Sequence, residues 1–258
     1  MAETAELRPR APRINTLALA DVVLALRRGV SDFLRAPLFG LFFGGIYAAG
    51  GLFVLYFLYQ LQKPWLILPI AIGFPLIGPF VAVGLYETSR RLEAGEPLTW
   101  RGILTLVFQQ RERELSWMAF VVLFVFWIWL YQVRLLTAIF LGFKSMSSVE
   151  SFLRVVTGSG EGLTFLAVGT VVGGLLSLVL FSTTVIAIPL LTERDYDFVT
   201  AIITSVKTVT RNLLPMLAFG VVVAVLALLA LVPAFLGLLV VLPVLGHATW
   251  HLYRRAIA

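Results

Sequence analysis

His247 and His251, the two histidines of the chain, stand four residues apart near its end. On a helix this spacing turns both imidazoles to one side, as in helices that offer two ligands to a metal. Glu87 would complete the set if its helix lay alongside. A zinc protease would carry a glutamate between the histidines, and Ala248-Thr-Trp250 has none. A bis-histidine haem needs ligands on opposite ring faces, which one helix cannot give. The plainer reading makes both histidines interfacial residues beside Trp250 and Tyr253, hydrogen-bonded to neighbouring loops. We adopt that reading, assign no metal and no cofactor, and keep His247, His251 and Glu87 as the residues on which a metal would have to sit.

A second feature is Gly73-Phe-Pro-Leu-Ile-Gly-Pro79, which is expected to break an apolar helix. Broken helices expose backbone groups that bind substrates in transporters, so Gly73, Pro75, Gly78 and Pro79 are the candidate substrate pathway. Against transport, no apolar stretch holds an ionisable residue at its middle, where coupled transport usually needs one. Other catalytic patterns are missing. Gly158-Ser-Gly-Glu-Gly162 follows no strand, so it is no nucleotide-binding fingerprint. Cysteine is absent, which excludes thiolate chemistry and disulfides. With no nucleophile–base pair visible, the sequence predicts a protein that is not an enzyme.

The elements that would position these residues follow from charge segregation. Of 258 residues 60% are hydrophobic and 13% charged, against about 25% charged in soluble domains. No Asp, Glu, Lys or Arg occurs in 37–62, 64–86, 162–192 or 212–253. About 20 apolar residues cross a bilayer, and backbone in lipid must be helical. Together with 115–141, and with Pro233 dividing the last stretch, this predicts six spans near 38–61, 64–86, 115–141, 163–191, 213–232 and 234–252. The fold class is therefore all-α, a polytopic six-helix transmembrane bundle. Residues 1–15 are expected to be a disordered tail, and 16–258 a single transmembrane domain.

With six spans, sixteen of the twenty Lys and Arg residues fall on the side of the termini. By the positive-inside rule both termini are cytoplasmic. The net charge of +6 then belongs to the headgroups of an anionic leaflet. Membrane lipids are the expected partners, and nucleic acid is not.

Three cytoplasmic segments have helical periodicity with one apolar stripe. Leu19, Val22, Val23, Leu26, Val30, Phe33 and Leu34 oppose Asp21, Arg28, Asp32 and Arg35. Trp100, Ile103, Leu104, Val107 and Phe108 oppose Arg101, Thr105, Gln109 and Glu112. Val199, Ile202, Ile203, Val206 and Val209 oppose Asp197, Thr200, Thr204, Lys207 and Arg211, behind a capping pattern at Thr192 and Asp195. Each is read as an interfacial helix. Three units of one interfacial helix and one hairpin follow, at 16–92, 98–194 and 195–255. In the first and third, Pro79 and Pro243 each stand 11 residues before an Arg pair, which aligns Tyr86 with Trp250 and Glu87 with His251.

Gly40 and Gly44, and Gly169 and Gly173, form small-residue faces suited to close helix packing within the bundle or against a partner. Trp117, Phe120, Phe124, Phe126, Trp127, Trp129 and Tyr131 crowd the third span, apolar on every side.

The C-terminal run Leu242-Pro-Val-Leu-Gly-His-Ala-Thr-Trp-His-Leu-Tyr-Arg-Arg255 resembles the signature of a bacterial family of predicted integral membrane proteins without assigned function. Pro79-Phe-Val-Ala-Val-Gly-Leu-Tyr-Glu-Thr-Ser-Arg-Arg91, Gly95-Glu-Pro, Ile188-Pro-Leu-Leu-Thr-Glu-Arg194 and Ala201-Ile-Ile-Thr-Ser205 are similar to it as well. The resemblance implies a helical protein of a bacterial inner membrane and carries no activity. Two functions are carried forward: an accessory or structural subunit associated with other integral membrane proteins in a respiratory or photosynthetic complex, and a permease using the second span.

Overall fold

The computed structural model describes residues 12–59, 67–110, 114–142 and 149–258. Among them the chain forms eleven α-helices: α1 (Leu19–Arg35), α2 (Pro37–Tyr59), α3 (Ile67–Ala94), α4 (Trp100–Gln110), α5 (Leu115–Leu136), α6 (Val149–Gly158), α7 (Gly160–Thr184), α8 (Ala187–Glu193), α9 (Phe198–Arg211), α10 (Leu213–Leu231) and α11 (Leu238–Ala256). A π-helical turn, Thr137–Leu141, extends α5. Three stretches, Leu115–Leu141, Gly160–Glu193 and Leu213–Leu231, are long and apolar enough to cross a membrane. A fourth qualifies if α1 and the first part of α2, bent by 103° at Ala36, are one broken span.

The chain divides into two compact units. One comprises Met1–Phe120 with Ser182–Ala258, the other Val121–Phe181. In the second, α6 folds back on α7 at Gly162, where a Cβ would lie 2.4 Å from the Val155 carbonyl oxygen. Phe152 meets Phe165 edge-on. A Cβ at Gly169 or Gly173 would touch nothing within that unit.

The first unit is built around α11, with α1, α2 and α3 packed on it. Close approach here depends on glycine. A Cβ at Gly29 of α1 would stand 2.5 Å from the Val244 carbonyl oxygen of α11, and one at Gly44 of α2 would meet the Leu239 carbonyl and Pro243. Gly40 lies beside Phe33 and Pro243. Phe39, Phe43, Val81, Leu85 and Ile103 close the core between α2, α3 and α4. After α10 the chain reverses through Pro233, with Ala234 and Phe235 both at positive φ, a strained choice for residues with a Cβ. The ring of Phe235 rests where a Cβ of Gly51 would be.

Several expectations are corrected. α3 runs unbroken through Pro75 and Pro79, although each proline costs a backbone hydrogen bond. Proline is tolerated at this cost in membrane helices, and next to Pro79 Tyr47 Oη donates to the Gly78 carbonyl at 3.2 Å. Residues 12–15 are ordered: Ile14 pairs with Ile257, Asn15 N–H donates to the Ala256 carbonyl at 2.8 Å, and Ala258 N–H donates to the Arg13 carbonyl. The remaining tail, 1–11, lies outside the described residues. The cap of α9 is Asp197, whose carboxylate accepts from the Thr200 N–H at 2.8 Å. Thr192 instead lies within α8 and bonds back to the Ile188 carbonyl.

The apolar stripes of α1 and α9 lie mostly outward, and smaller residues face the protein. In α1 the buried stripe is Val22, Ala25, Gly29 and Asp32, while Leu19, Val23, Val30 and Leu34 are exposed. In α9, Thr204, Ser205 and Thr208 are buried, and Val199 and Ile203 point outward. Small residues permit close backbone approach, and the polar atoms among them find partners inside. Ser205 Oγ, for example, accepts from the Ile186 N–H.

Candidate functional site

α3 continues past the apolar stretch for two turns, and this extension carries Glu87, Ser89, Arg90, Arg91 and Glu93. Against it lies the end of α11 with His247, Trp250, His251, Tyr253 and Arg254, and α1 adds Asp32. The result is a buried polar cluster in the first unit. His251 Nε2 lies 2.7 Å from Asp32 Oδ2, and His247 Nδ1 lies 2.7 Å from Ser89 Oγ. Ser89 also helps to hold the Asp32 carboxyl down, so two buried pairs, His251 with Asp32 and His247 with Ser89, adjoin. Burial acts to raise the Asp32 carboxyl. The hydrogen bond and charge of His251, then Ser89 and His247, outweigh it and hold the group below its usual value.

The remaining ring nitrogens, His247 Nε2 and His251 Nδ1, are buried and without a partner. Buried orphan acceptors are easier to tolerate than orphan N–H donors. This assigns the proton of His247 to Nδ1, donated to Ser89 Oγ, and that of His251 to Nε2, donated to Asp32.

A nucleophile–base distance between Ser89 and His247 is thus present, where the sequence showed none. No spacing could have revealed it, since 158 positions separate the two. The arrangement lacks the rest of an acyl-transfer site. In a triad the carboxylate orients the base that contacts the nucleophile, whereas here Asp32 holds the other histidine. Ser89 is 0% exposed, and the cleft and groove described below are lined by other residues.

Glu87 faces away from the histidines. Its carboxylate is held by Arg90 at 2.7 Å and Arg91 at 2.6 Å, and Arg90 bridges onward to Glu96. The bonds to Glu87 and Glu96 raise the Arg90 guanidinium above its already high value. The three low-weight metal candidates are therefore not gathered round one point, and among the described residues no group of three such ligands occurs.

Beside this lies a polar cleft of about 560 Å³ lined chiefly by Glu87, Arg90, Glu93, Glu193, Trp250 and Arg254. Glu93 accepts from Trp250 Nε1 at 3.3 Å and pairs with Arg254 at 3.4 Å. Glu193 of α8 takes the Tyr253 hydroxyl and pairs with Arg254 at 2.6 Å. Burial and the bond to Glu193 push the Tyr253 hydroxyl up, so it stays protonated and donating. Tyr86 and Trp250, aligned by the repeat register, stack at 6.4 Å. The carboxylates and guanidiniums of the cleft largely satisfy one another, so it works as a clamp between α3, α8 and α11.

Of the other sequence candidates, Gly40 and Gly44 pack on α11, while Gly169 and Gly173 lie on an unoccupied face of their own unit. Gly73 and Pro75 lie within continuous helix, as do Gly78 and Pro79. Asn212, which the sequence did not single out, accepts from the Leu17 N–H at 2.7 Å and donates to the Asn15 carbonyl, fixing the N-terminal segment.

No curated protein and no solved structure matches the chain. The C-terminal run on which the resemblance also rests lies beyond the region that a family model matches. That model covers residues 67–193 and is described as predicted integral membrane protein (DUF2189); over these residues the chain matches that family of predicted integral membrane proteins.

Proposed function

We propose that the chain is a non-enzymatic component of a bacterial inner membrane, crossing it six times with both termini cytoplasmic, and serving as an accessory or structural subunit among other integral membrane proteins. The observation that carries this reading is the surface of the second unit. Phe124, Trp127, Trp129, Leu130, Tyr131 and Leu135 are all exposed on α5, and successive positions 127–131 point in every direction round the helix. Val171, Leu175 and Val179 are exposed on α7, next to the unoccupied glycine face. Apolar surface of this extent must be covered by lipid or by other helices. Glycines that pack on nothing in their own unit favour a partner helix.

The outward apolar stripes of α1 and α9 support interfacial helices, and the basic excess beside them supports the cytoplasmic placement of the termini. The permease reading drew its support from a break at Gly73–Pro79, and α3 is continuous there. Mild detergent extraction with affinity capture and mass spectrometry tests the proposal. Co-purification of a stoichiometric membrane complex, lost when Gly169 and Gly173 are both changed to Leu, is the expected result. A chain that emerges alone, with the glycine variant behaving identically, would sink it.

A further inference from the structure

An apolar groove of about 290 Å³ runs between α2, α3 and α4, with Phe42, Phe43, Ile46, Val81, Leu104 and Val107 in its walls. Its lining exposes almost no polar surface, so water would gain nothing there and a hydrocarbon chain would. At one end Trp100 caps the walls, its ring 4.1 Å from Phe39 and 5.1 Å from Phe42. Tryptophan is the residue enriched at the headgroup level of bilayers.

Two arginines stand at that same end. Arg101 shares a helical stripe with Leu104 and Phe108, at i, i+3 and i+7, so it continues the α4 wall outward by one turn. Arg35 ends α1, four residues before Phe39 and across the 103° bend at Ala36. Both are exposed, and among the described residues neither has an ion pair. Nearby carboxylates are already engaged: Asp32 with His251, and Glu87 and Glu96 with Arg90. An apolar slot with a tryptophan and two unneutralised guanidiniums at its mouth matches an amphiphile with a hydrocarbon tail and an anionic head.

We infer that this groove binds an acyl chain of an anionic glycerophospholipid of the surrounding leaflet, with its phosphate on Arg35 and Arg101. Arginine suits this role because its fork gives two parallel bonds to phosphate oxygens. The inference rests on the membrane placement of α2 to α4 proposed above. It goes further by naming a lipid class and its residues.

The test is native mass spectrometry of the full-length protein in non-ionic detergent, titrated with phosphatidylglycerol, with phosphatidylcholine of the same chains, and with glycerol phosphate as a chainless probe. The expected result is about thirtyfold stronger retention of phosphatidylglycerol, from two basic residues near the surface, and no retention of glycerol phosphate. Arg35→Ala with Arg101→Ala should abolish the preference while leaving binding of phosphatidylcholine. Leu104→Trp should fill the groove and weaken both lipids. Because that variant enters the core, helix content by circular dichroism accompanies it, and the exposed double-arginine variant tests the proposal independently.

Equal retention of the two lipids by the unaltered protein would overturn the inference, as would an unchanged preference in the double-arginine variant. Glycerol phosphate binding as tightly as the lipid would replace it with a free-phosphate site. Release of the chain from membranes by alkaline carbonate would remove the membrane placement itself. A preserved lipid preference in a protein that captures no partner would remove only the accessory role.

Discussion

Replacing Asp32 by alanine tests whether its buried bond to His251 holds α1 on α11. Asp32 and His251 are each 5% exposed and meet at 2.7 Å. Without the carboxylate, His251 would have both ring nitrogens buried and unpaired, since Nδ1 has no partner already. Leaving the buried Nε2–H of a neutral imidazole without its acceptor costs about 1–3 kcal/mol, and Asp32→Asn, which can still accept from Nε2–H, should cost no more than about 1 kcal/mol. His251→Ala should be costly too, but the double alanine variant should be more stable than the two losses added, by about 2 kcal/mol.

Equilibrium unfolding in mixed detergent micelles, followed by far-ultraviolet circular dichroism, reads all four corners of the cycle. The Asp32 carboxyl is held below its ordinary value. Its contribution is therefore full above that ordinary value and fades as pH falls through the folded one. The acid limb of the stability profile should accordingly flatten in Asp32→Asn. An Asp32→Ala variant within about 0.5 kcal/mol of the unaltered protein, or additivity within the same margin, would refute the reasoning.

Gly29→Ala places a methyl group 2.5 Å from a carbonyl oxygen of α11, and overpacking of this kind should cost about 1–3 kcal/mol in the same unfolding assay. Gly173→Ala, with open space within its unit, should leave the isolated chain as stable or up to about 1 kcal/mol more so, through helix propensity. Asp197→Ala should lose about 1 kcal/mol by uncapping α9. The Thr200 side chain and N–H hold the Asp197 carboxyl low, so this difference should be present at neutral pH and vanish in acid, as a pH series of the pair would reveal. Asn212→Leu leaves the Leu17 N–H without its acceptor and should cost about 2 kcal/mol, with faster hydrogen exchange confined to residues 12–18.

The sequence alone determined the all-helical class and the positions of the long helices, because the length of an apolar run and the proline or charge that ends it are local properties. It also located the chemistry-bearing histidines on one helix and Gly40 and Gly44 on another. Local periodicity could not say which stripe of α1 or α9 turns inward. A membrane chain has two apolar surroundings, lipid and protein interior, and hydropathy does not distinguish them. What chose the inner stripe was backbone approach at Gly29 and pairing of Asp32 with a histidine 219 positions away. The same holds for Ser89, an unremarked hydroxyl until tertiary packing sets it against His247, and for Glu87, held by Arg90 and Arg91. Continuity of α3 through Pro75 and Pro79 was likewise not legible locally, because proline breaks helices in water yet is tolerated in helices of a membrane bundle.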